Sequence, residues 1–183
     1  MTNPLLKASE TLRALVSRGI THVVGLPDRI SEPLFQVVTK HPSINLITVT
    51  KDSEAFAIAA GLWIGGASPF AVIRNTGLLE SGEVIRGTIL RMGAPIPMLV
   101  TGRGYKEMTE AGLTPEDLPT PELLSRSDVD SVALLTEPTL AAWGIPFLRC
   151  GSDGDPIAAI SQTINDAQAD QYPGAVIMAR SLS

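Results

Sequence analysis

The sequence predicts an α/β fold, a single three-layer α/β/α domain built on a mainly parallel sheet. Three observations carry that expectation. Short apolar runs alternate with helical patterns of about 10–15 residues, the rhythm of right-handed βαβ crossovers. Hydrophobic residues make up 44% of the chain and charged residues 18%, enough apolar surface to cover a sheet on both faces. The length of 183 residues fits one domain with a real core. No internal repeat or low-complexity tract divides it, so residues 1–183 are read as one domain.

Each element follows from its local pattern. Residues 5–18 place Leu5, Leu12, Leu15 and Val16 on one helical face, closed by Gly19. Residues 21–26 form a short strand ending in Pro27-Asp28. A helix over 31–39 tolerates Pro33 only in its first turn. Residues 44–49 are a strand, and 53–64 a helix capped by Asp52 or Ser53 and stopped by Gly65-Gly66. That helix is apolar nearly all round, from Ala55 to Leu62, which predicts burial. The strand 69–74 runs into a turn at Asn75-Thr76-Gly77. Residues 80–92 read as a helix with Val84, Ile85, Ile89 and Leu90 on one side, and 97–101 as a strand leading into Gly102-Arg103-Gly104. The stretch 105–130, with Pro115, Pro119 and Pro121 among acids, reads as an irregular surface excursion. A helix over 132–143, a strand over 145–149, a helix over 156–169 and a strand over 174–179 complete the chain.

Several function classes are disfavoured. A formal net charge of −5 with scattered Lys and Arg argues against a nucleic-acid surface. The single cysteine, Cys150, excludes an intramolecular disulfide and a cysteine-rich zinc site, and its apolar context predicts a buried thiol. No leader-like segment or span of about 20 apolar residues is visible, so no membrane partner is expected and the cytoplasm is the default compartment. Dinucleotide and phosphate-loop glycine patterns and a GxSxG elbow are missing. His22 and His41 read as structural, residues 151–155 (GSDGD) as a turn rather than a cation loop, and no metal ligand is assigned.

In an open parallel sheet, ligands gather at the carboxyl ends of the strands. Four such ends carry polar groups, at 25–29, 51–54, 74–77 and 101–104. Glu54 stands out among them. The positive end of the helix dipole favours its charged form, while the apolar body of the helix raises the cost of ionisation. Those opposed influences suit a carboxyl that exchanges a proton. The simpler alternative is that Glu54 only satisfies free N–H groups at the helix start.

The motifs GLPD at 25–28, DSEAFAIAAG at 52–61, NTG at 75–77, PMLVTGRG at 97–104 and TEPTL…GIPF at 136–147 occur in that order. Together they resemble the pyrimidine-binding (Pyr) domain of thiamine-diphosphate-dependent decarboxylases, a flavodoxin-like module. The likeness is strongest to the sulfopyruvate decarboxylase α subunit and the phosphonopyruvate decarboxylases. The resemblance implies that Glu54 is the catalytic acid that hydrogen-bonds the aminopyrimidine ring of thiamine diphosphate and favours its imino tautomer. It also implies that Pro27, Asp28, Asn75, Thr76 and Gly77 line the cofactor pocket. Family members hold the diphosphate and Mg²⁺ through a second (PP) domain with GDG followed by Asn-Asn. These residues contain neither motif, so the resemblance implies a β subunit carrying the PP domain and its Mg²⁺, in a dimer or higher hetero-oligomer. The expected activity is decarboxylation of a small 2-oxo acid, sulfopyruvate to sulfoacetaldehyde and CO₂, with phosphonopyruvate as the alternative.

The chain departs from the family pattern at several positions. Arg29 follows GLPD where relatives tend to carry a small residue. Leu79 and Glu80 replace smaller or neutral groups, and Thr50-Lys51 stand where relatives are acidic or polar. Arg29, Lys51 and Arg103 are candidates for binding an anionic substrate tail, as is Arg74; singly, each also reads as a solvated surface charge. The departures leave open a non-catalytic Pyr-like partner or regulatory module. A nucleotide- or flavin-binding flavodoxin-like domain is a weaker alternative.

Overall fold

The structure, a computed structural model, describes residues 8–151 and 154–179. Residues 5–7 of the first expected helix, and Ser152 and Asp153 of the GSDGD turn, lie outside the described residues. In chain order the elements are α1 (Ala8–Ser17), β1 (His22–Gly25), α2 (Glu32–Thr39), β2 (Asn45–Thr48), α3 (Asp52–Ile64) and β3 (Pro69–Arg74). There follow α4 (Asn75–Glu80), the single turn α5 (Gly82–Val84), a π-helical segment (Ile85–Leu90) and β4 (Pro97–Thr101). The chain continues through α6 (Tyr105–Glu110), α7 (Pro121–Leu124), α8 (Ser131–Ala142), β5 (Phe147–Cys150), α9 (Pro156–Asp170) and β6 (Gly174–Met178).

Six strands form one sheet in the order β2-β1-β3-β4-β6-β5, every pair parallel. The expected three-layer architecture is therefore observed. Strand residues alternate strictly between two cores. Val23, Phe70, Val72, Leu99 and Val176 pack with Leu12 and Leu15 of α1, Leu34 and Phe35 of α2, and Ile160 and Ile164 of α9. Val24, Ala71, Ile73, Met98, Val100 and Ile177 pack with Phe56 of α3, Leu78 of α4, Ile85 and Ile89 of the π-helical segment, and Leu134 of α8. Each fully buried Val, Leu, Ile or Phe contributes roughly 1.5–3 kcal/mol by leaving water.

The chain reverses direction across the sheet after β2, so β1 and β3 flank the switch point where ligands collect in such folds. There the strands approach so closely that only glycine fits at the end of β1. A Cβ on Gly25 would lie 1.9 Å from the Val72 carbonyl oxygen. Arg74 sits beside Thr101 in register, and Thr101 beside Met178, which lines up the carboxyl ends of β3, β4 and β6.

Four local expectations need correction. The N-cap of α3 is Lys51, not Asp52 or Ser53, because Asp52 turns inward and is fully buried. The same helix is not buried all round. Ala55, Phe56, Ala59 and Ala60 meet the sheet, while Ala57 and Gly61 are exposed and Ile64 retains 67% of its surface. Asn75-Thr76-Gly77 is not a turn but the opening of α4, and helical structure then breaks at Ser81 and passes into the π-helical segment rather than running evenly from 80 to 92. The excursion 105–130 carries two short helices, α6 and α7. Cys150 is buried as expected, and Pro33 lies in the first turn of α2.

Candidate active site

The carboxyl ends of β1, β3 and β4 open onto a cleft of about 590 Å³. Asp28, Arg29 and Ile30 line it from the β1–α2 connection, Arg74 and Thr76 from the β3–α4 junction, and residues 101–104, 106 and 107 from the end of β4 and α6. The sequence-predicted residues Asp28, Arg29, Thr76 and Arg103 thus converge. Lys106 and Glu107 join them and carried no sequence signal, since α6 itself was not foreseen.

Asp28 is held rigidly. Its Oδ1 accepts hydrogen bonds from the Ile30 amide at 3.0 Å, the Ser31 amide at 2.8 Å and the Ser31 hydroxyl at 2.8 Å. Its Oδ2 accepts the Thr101 hydroxyl, which crosses from β4 and fixes the loop after β1 to the neighbouring strand. The Asp28 carbonyl accepts the Glu32 amide, so this residue also closes the turn that leads into α2. Pro27 precedes it, half-buried.

Asn75 is fully buried and its amide is spent within the protein. Nδ2 donates to the Arg103 carbonyl at 2.8 Å, and Oδ1 accepts the Arg103 amide at 3.2 Å and the Thr76 amide at 3.1 Å. It ties the loop after β3 to the loop after β4. Gly77 has a steric reason of its own: a Cβ there would lie 2.1 Å from Asp52 Cγ. That close approach lets the buried Asp52 accept the Arg74 amide at 3.2 Å and pair with the Arg74 guanidinium through Nη2 at 2.5 Å and Nε at 3.2 Å. Asp52, which sequence reasoning treated only as a cap, is therefore the anchor of Arg74. The guanidinium is held firmly charged, first by its bond to Asp52. Arg103 Nε pairs with Asp130 Oδ2 at 2.9 Å, and Asp130 in turn caps α8 by accepting the Val132 amide.

Glu54 stands on the first turn of α3, at the carboxyl edge but outside the lining of the cleft. Its Oε2 accepts the Thr50 amide at 3.0 Å, the Thr50 hydroxyl at 3.1 Å and the Lys51 amide at 3.1 Å, an N3 acid reaching back over the N-cap. Oε1 has no hydrogen-bond partner among the described residues. The sequence suggested a balance between dipole and desolvation, but in this chain the balance is one-sided. Glu54 is exposed, and the hydrogen bonds from Thr50, then Lys51, hold its carboxyl below the usual range. Lys51 does not line the cleft. Its Nζ lies 2.9 Å from Glu80 Oε1, and that pairing raises its pKa.

Further along the same edge, Tyr105 donates its hydroxyl to Glu137 Oε1 at 3.2 Å, and Arg149 Nε lies 3.8 Å from the same oxygen. Burial pushes the Glu137 carboxyl up, and burial also raises Tyr105. Arg149 reaches out to Glu116 of the excursion at 2.7 Å. Among the described residues no group of three or more His, Cys, Asp or Glu side chains is disposed to hold a metal ion, and no helix is long and apolar enough to cross a membrane.

No family model matches the chain. It is 31% identical over 100 residues to a phosphonopyruvate decarboxylase of Streptomyces viridochromogenes, covering 55% of this chain and 25% of that protein. It is 31% identical over 94 residues to the sulfopyruvate decarboxylase subunit alpha of Methanothermobacter thermautotrophicus, covering 51% of this chain and 57% of that subunit. A sulfopyruvate decarboxylase of Methanosarcina acetivorans is 32% identical over 113 residues, 61% of this chain and 28% of that protein. The chain is similar to decarboxylases. It spans about a quarter of the phosphonopyruvate decarboxylase and somewhat more than half of the α subunit. Among solved structures, the benzoylformate decarboxylase from Polynucleobacter necessarius superposes with a TM-score of 0.62 at 18% identity, over 93% of this chain and 29% of that one. At that identity the likeness is one of fold.

Proposed function

We propose that this chain supplies the pyrimidine-binding half of a thiamine-diphosphate-dependent 2-oxo acid decarboxylase, with sulfopyruvate as the favoured substrate and phosphonopyruvate as the alternative. The observation that carries the reading is the division of labour at Glu54. One carboxylate oxygen is anchored by three donors, and the other is left available at the carboxyl edge of the sheet. The sequence similarity to phosphonopyruvate and sulfopyruvate decarboxylases supports it.

The residues fit the cofactor in one respect, and the reading assigns the rest of its binding to a partner. An outward carboxyl oxygen on a rigid helix start is suited to a hydrogen bond with a ring nitrogen. Thiamine diphosphate, when bound, supplies the electron sink that lets a 2-oxo acid lose CO₂. Glu54 would orient the aminopyrimidine and hold or release the proton it shares with that ring. In the chain by itself the carboxyl is exposed and its pKa is lowered, so in this reading a second surface covers it and raises its pKa into a useful range. The same second surface, a β subunit with a PP domain, would hold the diphosphate and Mg²⁺.

Co-expression with a chain bearing GDG and Asn-Asn, followed by assay of CO₂ release from sulfopyruvate and phosphonopyruvate, tests the proposal. Glu54→Gln should lower turnover by about 10²-fold or more, the usual weight of a positioned proton donor. Unchanged turnover in Glu54→Gln, or full activity from this chain alone, overturns it. The Lys51–Glu80 ion pair beside an ionised Glu54 favours a second reading, a non-catalytic Pyr-like partner. Calorimetry separates the two, because absence of thiamine diphosphate binding under every pairing supports the non-catalytic module.

A further inference from the structure

The cations of the cleft fall into two groups by their partners. Arg74 is neutralised by the buried Asp52, and Arg103 by Asp130. Lys106 has only Glu110, 3.7 Å away across one exposed turn of α6, a contact that solvent screens. Arg29 is exposed and enters no ion pair among the described residues. Both of these less committed cations line the cleft, in a chain whose formal net charge is −5. Between their attachment points lies Thr76, whose hydroxyl has no hydrogen-bond partner among the described residues and which also lines the cleft.

We infer that Arg29 and Lys106, with the Thr76 hydroxyl, bind the tetrahedral oxyanion tail, a phosphonate or sulfonate, of the 2-oxo acid substrate. The inference rests on the decarboxylase reading for its occupant. A guanidinium without an ion-pair partner among the described residues, and an ammonium whose one partner is a solvent-screened surface glutamate, meet such a group at little electrostatic cost, whereas Arg74 would first have to leave a buried carboxylate. The Asp28 carboxylate in the same wall accepts hydrogen bonds from Ser31, Ile30 and Thr101, which hold it in place and spread its charge into the protein. Arg29, which departs from the small residue usual after GLPD, thereby gains a role. Lys51 loses the one its charge suggested, because Glu80 holds it outside the cleft.

The test is a titration of the full chain with methylphosphonate, and in parallel with methanesulfonate, followed by amide chemical shifts. Saturable shifts at Thr76, Gly102 and Gly104 are expected. Arg29→Gln and Lys106→Gln should each weaken binding about tenfold, the worth of one charge-assisted hydrogen bond. Arg86→Gln, which breaks the exposed pair with Glu83 outside the cleft, should leave binding unchanged. Tighter binding of methylphosphonate assigns the tail as a phosphonate, and equal or tighter binding of methanesulfonate assigns it as a sulfonate. Shifts that do not saturate, or equal weakening by Arg86→Gln, overturn the site. Failure of the decarboxylase reading is distinguishable: it would appear as no thiamine diphosphate binding in the reconstituted complex while the oxyanion site stays intact.

Discussion

Lys51 Nζ and Glu80 Oε1 lie 2.9 Å apart, joining two positions at which the chain departs from the pattern it otherwise resembles. The side chains retain 55% and 46% of their exposure, so the pair is a surface contact that contributes little stability. Its interest is electrostatic. Glu80 draws toward itself the ammonium of the residue whose amide already bonds Glu54. Glu80→Gln should therefore leave denaturant midpoints unchanged and lower the Glu54 pKa further, read by carboxyl carbon shifts against pH. An unchanged Glu54 titration would show that Lys51 does not act on it.

Glu54 should titrate below an ordinary glutamate in the chain by itself and higher once a partner covers it. For a carboxylate with a depressed folded pKa, the stabilising contribution is present above the unfolded pKa and is lost as pH falls through the folded one. Wild type and Glu54→Gln should therefore differ in stability at neutral pH and converge at acid pH. Denaturant melts at several pH values measure this directly.

Glu137 behaves with the opposite sign. Burial raises its folded pKa, so the native state holds its proton more tightly than the unfolded chain does. Stability should fall as pH rises from the unfolded to the folded pKa of this group, before levelling off. Glu137→Gln keeps an acceptor for the Tyr105 hydroxyl and should be at least as stable as wild type at pH 7, with less of that acid-side slope. A marked loss at neutral pH would mean that the Arg149 contact outweighs burial.

Gly77→Ala should destabilise the fold by about 2–4 kcal/mol, because the new methyl collides with the buried Asp52 carboxylate rather than with a flexible tip. Asp52→Asn should cost about 2–3 kcal/mol by leaving the Arg74 guanidinium without its charged partner. The two sites touch, so the double variant should lose less than the sum of the singles. Chemical denaturation of the three variants checks both values and their coupling.

The sheet was legible because β3, β4 and β6 are continuous apolar runs, which only a strand covered on both faces requires. The convergence of the loops after β1, β3 and β4 followed from parallel topology alone. What could not be read were long-range uses of polar side chains. Asp52 looks like a helix cap until Arg74, 22 positions away, arrives beside it. Gly77 looks like a turn residue until that same carboxylate occupies the space of its missing Cβ. Local propensity carries no record of such encounters, nor of Glu80 reaching Lys51. The desolvation expected of Glu54 failed for a related reason, since the apolar residues of α3 face the sheet and leave its first turn in water.

The Asn75 amide, doubly bonded to the backbone of residue 103, makes the two loops on either side of it move as one piece. The Asp28–Thr101 bond does the same for the loop after β1. A rim stitched in this way has already surrendered its conformational entropy during folding, so a molecule entering the cleft has little ordering left to impose on that side. Selectivity there should accordingly follow shape and charge fixed in advance. Amides 28, 30, 31 and 101–103 should exchange with deuterium at rates close to those of the strands they extend, and a ligand should slow them only slightly.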